Sequence, residues 1–185
     1  MKLLEITMVC CSAVMSGTAG AREVSGVSVP ATATVAHKEL TLNGAGVRTE
    51  KAFFKVYVVA LYLEQPTSDA RSAIASDQEK HLVLSMLRAV SREQFIEALE
   101  TDIERNSSGR MPILRARLDL LQKALPALEK GDVLTVTYLP GSGTVLRGQG
   151  QKMTIPGKDF ADALLSAWLG PSPISGDLKR QLLGG

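Results

Sequence analysis

Cysteine and histidine are scarce in this sequence, and their placement excludes several kinds of site. The 185 residues include two cysteines, Cys10 and Cys11, and two histidines, His37 and His81. Both cysteines lie in an N-terminal segment that we predict to be removed, so no thiol remains for catalysis, a disulfide or a metal. The two histidines lie in separate stretches without the H-x-x-x-H or E-x-x-H spacing of a metal site. We therefore expect no metal and no cofactor.

An excess of charge of one sign is also missing. Lys and Arg number 21 against 19 Asp and Glu, which gives a net charge of +2, and no dense basic tract occurs. Nucleic-acid binding needs a clustered basic surface, so we expect no nucleic-acid partner. There is no G-x-S-x-G nucleophile elbow, and Gly141 and Gly143 are followed by Leu146 where a dinucleotide fingerprint has glycine. With 45% hydrophobic and 22% charged residues, the composition is that of an ordinary globular domain.

No apolar run near the N-terminus reaches the roughly 20 residues that a membrane-spanning helix needs. A shorter run covers residues 6–15, after a basic Lys2, and residues 19–21 (A-G-A) follow it as a signal-peptidase site. The pattern predicts a signal peptide over residues 1–21 and a mature domain over residues 22–185. We expect a periplasmic or secreted protein with no transmembrane segment after cleavage.

Strand signals begin early in the mature chain. Residues 52–64 (AFFKVYVVALYLE) are apolar on both alternating faces, which indicates a central strand that is covered on both sides. Shorter strands are predicted at residues 27–35, 39–42 and 81–87, and residues 43–46 (N-G-A-G) predict a turn. Residues 133–138 and 144–147 predict a hairpin around a Gly-Ser-Gly turn, followed by a short strand at 151–155.

Helix signals fill the middle and the end of the chain. Ser91 and Gln94 have the S-x-x-Q form of a capping box and open a helix with one apolar face. A second helix follows Pro112, two more are predicted near residues 160–169 and 177–183, and a short one at 66–76. Strands first, helices in the middle, then a hairpin and closing helices predict an α+β fold with a largely antiparallel sheet.

Two polar residues stand out beside the predicted central strand. Arg48 immediately precedes it, where it is either an ordinary surface residue or a guanidinium placed to bind a carboxylate or enolate at the edge of the core. Tyr57 lies on one apolar face of the strand. Its hydroxyl is bonded either to the backbone or to the polar head of a ligand that Arg48 also holds.

Two segments make the sequence resemble the chalcone isomerase family. Residues 42–48 (L-N-G-A-G-V-R) and 54–64 (F-K-V-Y-V-V-A-L-Y-L-E) are similar to the G-A-G-[VI]-R motif and the K-F-x-A-I-G-V-Y-L-E strand of plant members. Residues 158–170 and 175–182 resemble the two closing helices of the family. The export signal makes the chain most similar to bacterial chalcone-isomerase-like proteins. The resemblance implies an open-faced β-sandwich, in which a large antiparallel sheet carries a layer of helices and the ligand cleft lies between them.

The resemblance also implies a set of site residues. Arg48 matches the family arginine, which in plant enzymes stabilises negative charge on the flavonoid. Tyr57 falls where the family has threonine, Phe95 near the active-site tyrosine, Asp102 near an asparagine and Ala161 near a Ser or Thr. Phe95 and Ala161 lack the hydroxyls of the family's tyrosine and Ser or Thr, and this loss argues against chalcone cyclisation. An arginine with a tyrosine resembles instead the fatty-acid-binding branch of the fold.

Three hypotheses follow from these residues. The first is a periplasmic, non-catalytic protein that binds a fatty acid or similar apolar anion through Arg48 and Tyr57. The alternative is an isomerase (intramolecular lyase) acting on a chalcone-like or enolisable substrate, with Arg48 as its catalytic residue. A third is an interaction partner with a vestigial cleft.

Overall fold

The computed structural model describes residues 20–51 and 53–185, so the predicted signal peptide lies outside the described residues except for its last two. Within them the chain forms nine strands and five helices. In chain order these are β1 (Arg22–Val24), β2 (Val27–Val29), β3 (Thr32–Val35), β4 (Lys38–Glu50), β5 (Phe54–Leu63), α1 (Ala70–Ala75), β6 (Lys80–Met86), α2 (Arg92–Ser107), α3 (Met111–Ala124), β7 (Val133–Leu139), β8 (Gly143–Gly148), β9 (Gln151–Ile155), α4 (Lys158–Leu169) and α5 (Gly176–Leu182).

The strands form one large antiparallel sheet and one small hairpin. Strands β3 to β9 lie side by side in sequence order, and each pairs antiparallel with the next. Strands β1 and β2 form a separate two-stranded sheet. The predicted α+β fold with a large antiparallel sheet and a helical layer is therefore confirmed.

Strand β5 is buried on both faces, as its sequence predicts. Every residue from Val56 to Leu63 is buried. One face, with Tyr57 and Leu61, belongs to the main core beneath the helices. The other face, with Val58 and Ala60, packs in a second core with residues of β2, β3 and β4. The long apolar run is thus explained by two hydrophobic layers.

The predicted turn at residues 43–46 is wrong, because these residues lie inside β4. The strand continues through them with an irregularity in register between Leu42 and Gly44. Helix α5 lies against this part of the strand, and a side chain at Gly44 would contact the backbone of Leu182 at 2.6 Å. Asn43 fixes the contact by donating from Nδ2 to the Leu182 carbonyl at 2.7 Å. The glycines therefore allow a helix to approach the sheet closely.

The helices cover one face of the sheet. The predicted capping box at the start of α2 is confirmed: Ser91 Oγ accepts from the Gln94 N–H at 3.2 Å, and the Gln94 side chain accepts from the Ser91 N–H at 3.3 Å. Helix α4 is the most buried of the helices and carries Phe160 and Trp168 into the core. Among the described residues, no helix has the length and apolar character needed to cross a membrane.

Candidate functional site

A cavity of about 170 Å³ lies between the sheet and helices α2 and α4. Its inner wall is apolar and comes from β5, α2 and α4. Its polar groups come from the ends of β4 and β6 and from the first turn of α2. The lining side chains that matter here are Arg48, Glu50, Tyr57, Arg88, Phe95 and Trp168.

Arg48 and Tyr57 face this cavity from neighbouring strands. They are directly paired in the register of β4 and β5, so both side chains leave the sheet on the helix side. Arg48 follows Gly44 and Gly46 at two-residue intervals on the same face of β4. The glycines accommodate α5, and the next side chain on that face is the guanidinium at the cavity.

The Arg48 guanidinium is partly buried and has spare hydrogen-bonding capacity. Its Nη1 donates to the carbonyl of Thr49 at 2.7 Å. In the described part of the chain, no carboxylate lies within 4.0 Å of it, although Glu50 lines the same cavity. A guanidinium carries five donors, so most of them remain available to a ligand.

The Tyr57 hydroxyl is buried and accepts a hydrogen bond from Trp168 Nε1 at 3.1 Å. Burial raises the pKa of Tyr57 to about 12, and the Trp168 bond and the charge of Arg48 oppose that rise. The phenol therefore stays neutral at physiological pH. Among the described residues it donates no hydrogen bond, so its O–H can serve an acceptor in the cavity.

Phe95 and Asp102 lie on α2 at different depths. The Phe95 ring lines the cavity, with its centroid 6.4 Å from that of Tyr57. Asp102 lies in an outer groove of about 320 Å³, which Arg48, Gln94 and other residues share with the inner cavity. The Asp102 carboxylate accepts from Arg105 at 2.8 Å. Burial raises the pKa of Asp102, and the charges of Arg105 and Arg48 oppose that rise. The structure thus brings Arg48, Tyr57, Phe95 and Asp102 to one continuous cleft.

The structure does not bring Ala161 to this cleft. Ala161 lines a separate cavity of about 10 Å³, which is enough for a single water molecule. Lys80 projects into the same cavity, where its ammonium donates to the Ile74 carbonyl, lies 3.8 Å from Asp162 and stacks on the Tyr138 ring. Burial, followed by the charge of Lys158, lowers the pKa of Lys80 to about 8.

This lowered pKa predicts a pH-dependent stability. Between about pH 8 and the ordinary lysine pKa of 10.5, the unfolded chain binds a proton at Lys80 that the folded chain has released. The free energy of unfolding therefore gains a contribution that rises with pH through this window. Lys80→Met should remove that contribution, so melting temperatures measured from pH 7 to 9.5 should show a smaller rise, or a steeper fall, than in the wild type.

The expected difference is several degrees, since about 1 kcal/mol shifts the melting temperature of a chain this size by roughly 2–4 °C. Tyr57 and Tyr138 contribute with the opposite sign near the top of this window, because burial raises their pKa values in the fold while the unfolded phenols ionise near pH 10. Both proteins contain these tyrosines, so the comparison between them isolates Lys80. Identical slopes for wild type and Lys80→Met would show that the Lys80 ammonium stays protonated throughout.

Sequence patterns gave no indication of several cavity residues. Helical periodicity places Trp168 on the apolar face of its helix, but its bond to Tyr57 joins residues 111 positions apart. Its buried indole N–H needs an acceptor, and that need was the one available signal. Arg88 follows β6 with no motif around it. Residues 20–51 and 53–185 contain no group of three or more His, Cys, Asp or Glu side chains placed to hold a metal ion.

The fold and the cleft together define a class of protein, in which an antiparallel sheet carries a layer of helices and a cleft lined by an arginine lies between the two layers. A family model described as chalcone isomerase-like matches residues 21–184, and the chain belongs to that family. Comparison with curated protein sequences gives no match.

A solved structure shares the fold. It is the crystal structure of a fatty-acid binding protein of Arabidopsis thaliana, similar with a TM-score of 0.66 and 14% sequence identity. The similarity covers 85% of this chain and 92% of the plant chain. The predicted resemblance to the family is therefore confirmed.

Proposed function

We propose that this protein binds a fatty acid or a similar apolar carboxylate in the cleft without transforming it. One observation carries the proposal: a guanidinium without a carboxylate partner among the described residues lies next to an unused phenol donor at an apolar cavity. Buried or half-buried charges are costly unless they are paired, and an anionic ligand would supply the pair.

The geometry of the cleft favours one orientation of the ligand. Its carboxylate would accept from Arg48, where the inner cavity and the outer groove meet, and from the Tyr57 O–H. Its apolar part would lie against Phe95, Leu99 and Trp168. An engineered protein cavity of about 150 Å³ admits benzene, so an inner cavity of about 170 Å³ encloses a short apolar segment.

Two further observations favour binding over isomerisation. The structural neighbour is a fatty-acid binding protein, which supports the same class of ligand for this chain. The isomerase alternative would require hydroxyl groups to hold the ketone, but Phe95 places a ring without a hydroxyl in the cavity, and Ala161 lies elsewhere. Arg48 and the Tyr57 O–H would be the groups left to stabilise an enolate or phenolate.

We also propose that binding takes place in the periplasm or outside the cell. The proposal is supported by the basic start, apolar run and A-G-A site within residues 1–21. The first strand begins at Arg22, the residue that follows the predicted cleavage site. Arg22 also contributes to the fold, since its Nη2 donates to the Ala45 carbonyl at 2.8 Å.

A direct test is to titrate the protein with saturated fatty acids of increasing chain length and with their methyl esters. The ester keeps the apolar chain but loses the charge, so it should bind roughly 10- to 150-fold more weakly, as expected for losing one charged hydrogen bond of about 1.5–3 kcal/mol. Affinity should rise with chain length until the cleft is filled. Esters that bind as tightly as the acids would refute the carboxylate site, and an absence of binding by either series would refute the function.

A further inference from the structure

The exposed aromatic residues of this protein are concentrated at one place. The sequence has one Trp, three Tyr and four Phe, and six of these side chains are buried. The other two are Phe53, which is 84% exposed, and Phe54, which is 55% exposed. They are adjacent, at the turn between β4 and β5. Exposed phenyl rings are unfavourable in water, and a contiguous pair of them indicates an interaction surface.

This turn lies beside the cleft. Its two strands supply Arg48 and Glu50 on one side and Val56 and Tyr57 on the other, and all four line the inner cavity. Arg88 connects the two features directly. Its guanidinium carbon lies 5.9 Å from the centroid of the Phe54 ring, and its side chain also lines the cavity. A surface that covered the phenyl rings would therefore lie close to the cavity.

The surroundings of the two rings are basic. Lys51 and Lys55 flank them, and Glu50 is the one acidic residue between positions 40 and 63. Within the described residues neither lysine nor Arg88 forms a salt bridge, and the Lys55 ammonium donates to the neutral Ser25 hydroxyl at 3.1 Å. Three cations without acidic partners around an apolar tip complement a surface that is anionic outside and apolar beneath.

We propose that this tip, formed by Lys51, Phe53, Phe54, Lys55 and Arg88, docks onto an anionic lipid surface. Phe53 and Phe54 enter the boundary between headgroups and acyl chains, and the three cations contact the headgroups. A second protein molecule fits the tip less well, because a stable protein interface buries about 1,200–2,000 Å² and two phenyl rings supply a small part of that area.

Docking would bring the cleft close to the bilayer and shorten the path of an apolar carboxylate between membrane and protein. This transfer of a ligand rests on the function proposed above, whereas the docking itself depends on the tip alone.

The test is sedimentation of the protein with vesicles of phosphatidylcholine, with or without phosphatidylglycerol. Wild type should associate with the mixed vesicles, more weakly with phosphatidylcholine alone, and less when salt is raised. Phe53→Ser combined with Phe54→Ser should lower the partition coefficient about tenfold or more, because the apolar anchor is lost.

A matched control is Ile113→Ser combined with Leu120→Ser. These residues are the exposed large apolar side chains of α3, which contacts β9 at the far edge of the sheet. This variant also loses two exposed apolar residues, and it should partition like the wild type. Thermal melts should show that both double variants remain folded, since all four side chains are exposed.

The results that would contradict docking differ from those that would contradict fatty-acid binding. A wild type that ignores anionic vesicles, or equal losses in the two double variants, would overturn the docking proposal even if fatty acids bind in solution. A dimer in size-exclusion chromatography that the Phe53 and Phe54 substitutions abolish, without vesicle binding, would assign the tip to a second copy of the chain. Retained fatty-acid affinity in the Phe53 and Phe54 variant would show that the cleft itself is intact.

Discussion

Replacing Arg48 by alanine is expected to weaken fatty-acid binding by roughly 10- to 150-fold. The guanidinium would form charged hydrogen bonds with the ligand carboxylate, and losing one such bond costs about 1.5–3 kcal/mol. Arg48→Lys should recover only part of the affinity, because an ammonium keeps the charge but loses the planar pair of donors. The measurement is a titration with the acid that the wild type binds most tightly.

A matched control for the charge is Arg147→Ala. Arg147 is exposed on β8 and lines a groove with residues of β3, β6 and β7 outside the cleft. The Arg147→Ala variant changes the net charge by the same amount as Arg48→Ala. Because Arg147 lies outside the cleft, the affinity of this variant should equal that of the wild type. Equal affinities for wild type and Arg48→Ala would mean that Arg48 does not hold the ligand, and the proposed site would lose its anchor.

Substitution of Tyr57, which is paired with Arg48 across β4 and β5, affects both binding and folding. Tyr57→Phe removes a neutral donor, which should cost about 0.5–1.5 kcal/mol of binding free energy. The structure adds a second consequence, because the same substitution leaves the buried Trp168 N–H without its acceptor. The variant should therefore also lose folding stability, and its affinity is meaningful only alongside a thermal melt.

The Gly44→Ala substitution is expected to destabilise the protein by about 3 kcal/mol, at the upper end for overpacking a closely packed site. A methyl group there would contact the Gln181 carbonyl oxygen and lie 2.6 Å from the carbonyl carbon of Leu182. These are backbone atoms of α5 and its C-terminal end, so the helix must move away from β4. In a chain of this size the melting temperature should fall by roughly 6–12 °C.

Gly46→Ala provides a close comparison on the same face of the same strand. Its methyl group would meet the Leu178 methyl at 2.8 Å, Gln181 Cβ at 2.9 Å and the end of the Gln181 side chain. The Leu178 methyl and the end of the Gln181 side chain can rotate away, but Gln181 Cβ moves only with α5. The expected loss is about 1–2 kcal/mol, smaller than for Gly44→Ala because no backbone atom is met and because alanine restricts the unfolded chain. Gly109→Ala, with no atom near its new methyl group, should be neutral or stabilising. Equal melting temperatures for all three variants would show that α5 does not pack closely on β4.

Sequence patterns predicted those parts of the fold that depend on local periodicity. The two-sided apolar run of β5, the capping box at Ser91 and the hairpin around Gly141 all appear in the structure. Residues 43–46 were misassigned because glycine serves tight turns and close approaches equally well. The helix that makes Gly44 and Gly46 necessary lies more than 130 residues away in the chain. No local pattern contains that contact.

In the candidate site, too, local patterns predicted some features, while others depend on contacts between residues far apart in the chain. Arg48 and Tyr57 could be placed near each other because Arg48 closely precedes the predicted strand that carries Tyr57. Their direct pairing across β4 and β5 depends on the part of β4 that was predicted to be a turn. The position of Ala161 in a different cavity could not be foreseen, because the rotation of α4 over the sheet is decided by packing. The pairing of Trp168 with Tyr57 depends on the same packing.

Trp168 gives the cleft an optical property. It is the single tryptophan in the sequence, and its indole both lines the cavity and donates to Tyr57. Indole emission shifts in colour and intensity with the polarity around the ring, and here no second tryptophan adds background. Fluorescence that is excited selectively at tryptophan therefore reports on the wall of the cleft alone. Occupancy of the cleft can be followed in unlabelled protein, in real time and in the presence of vesicles.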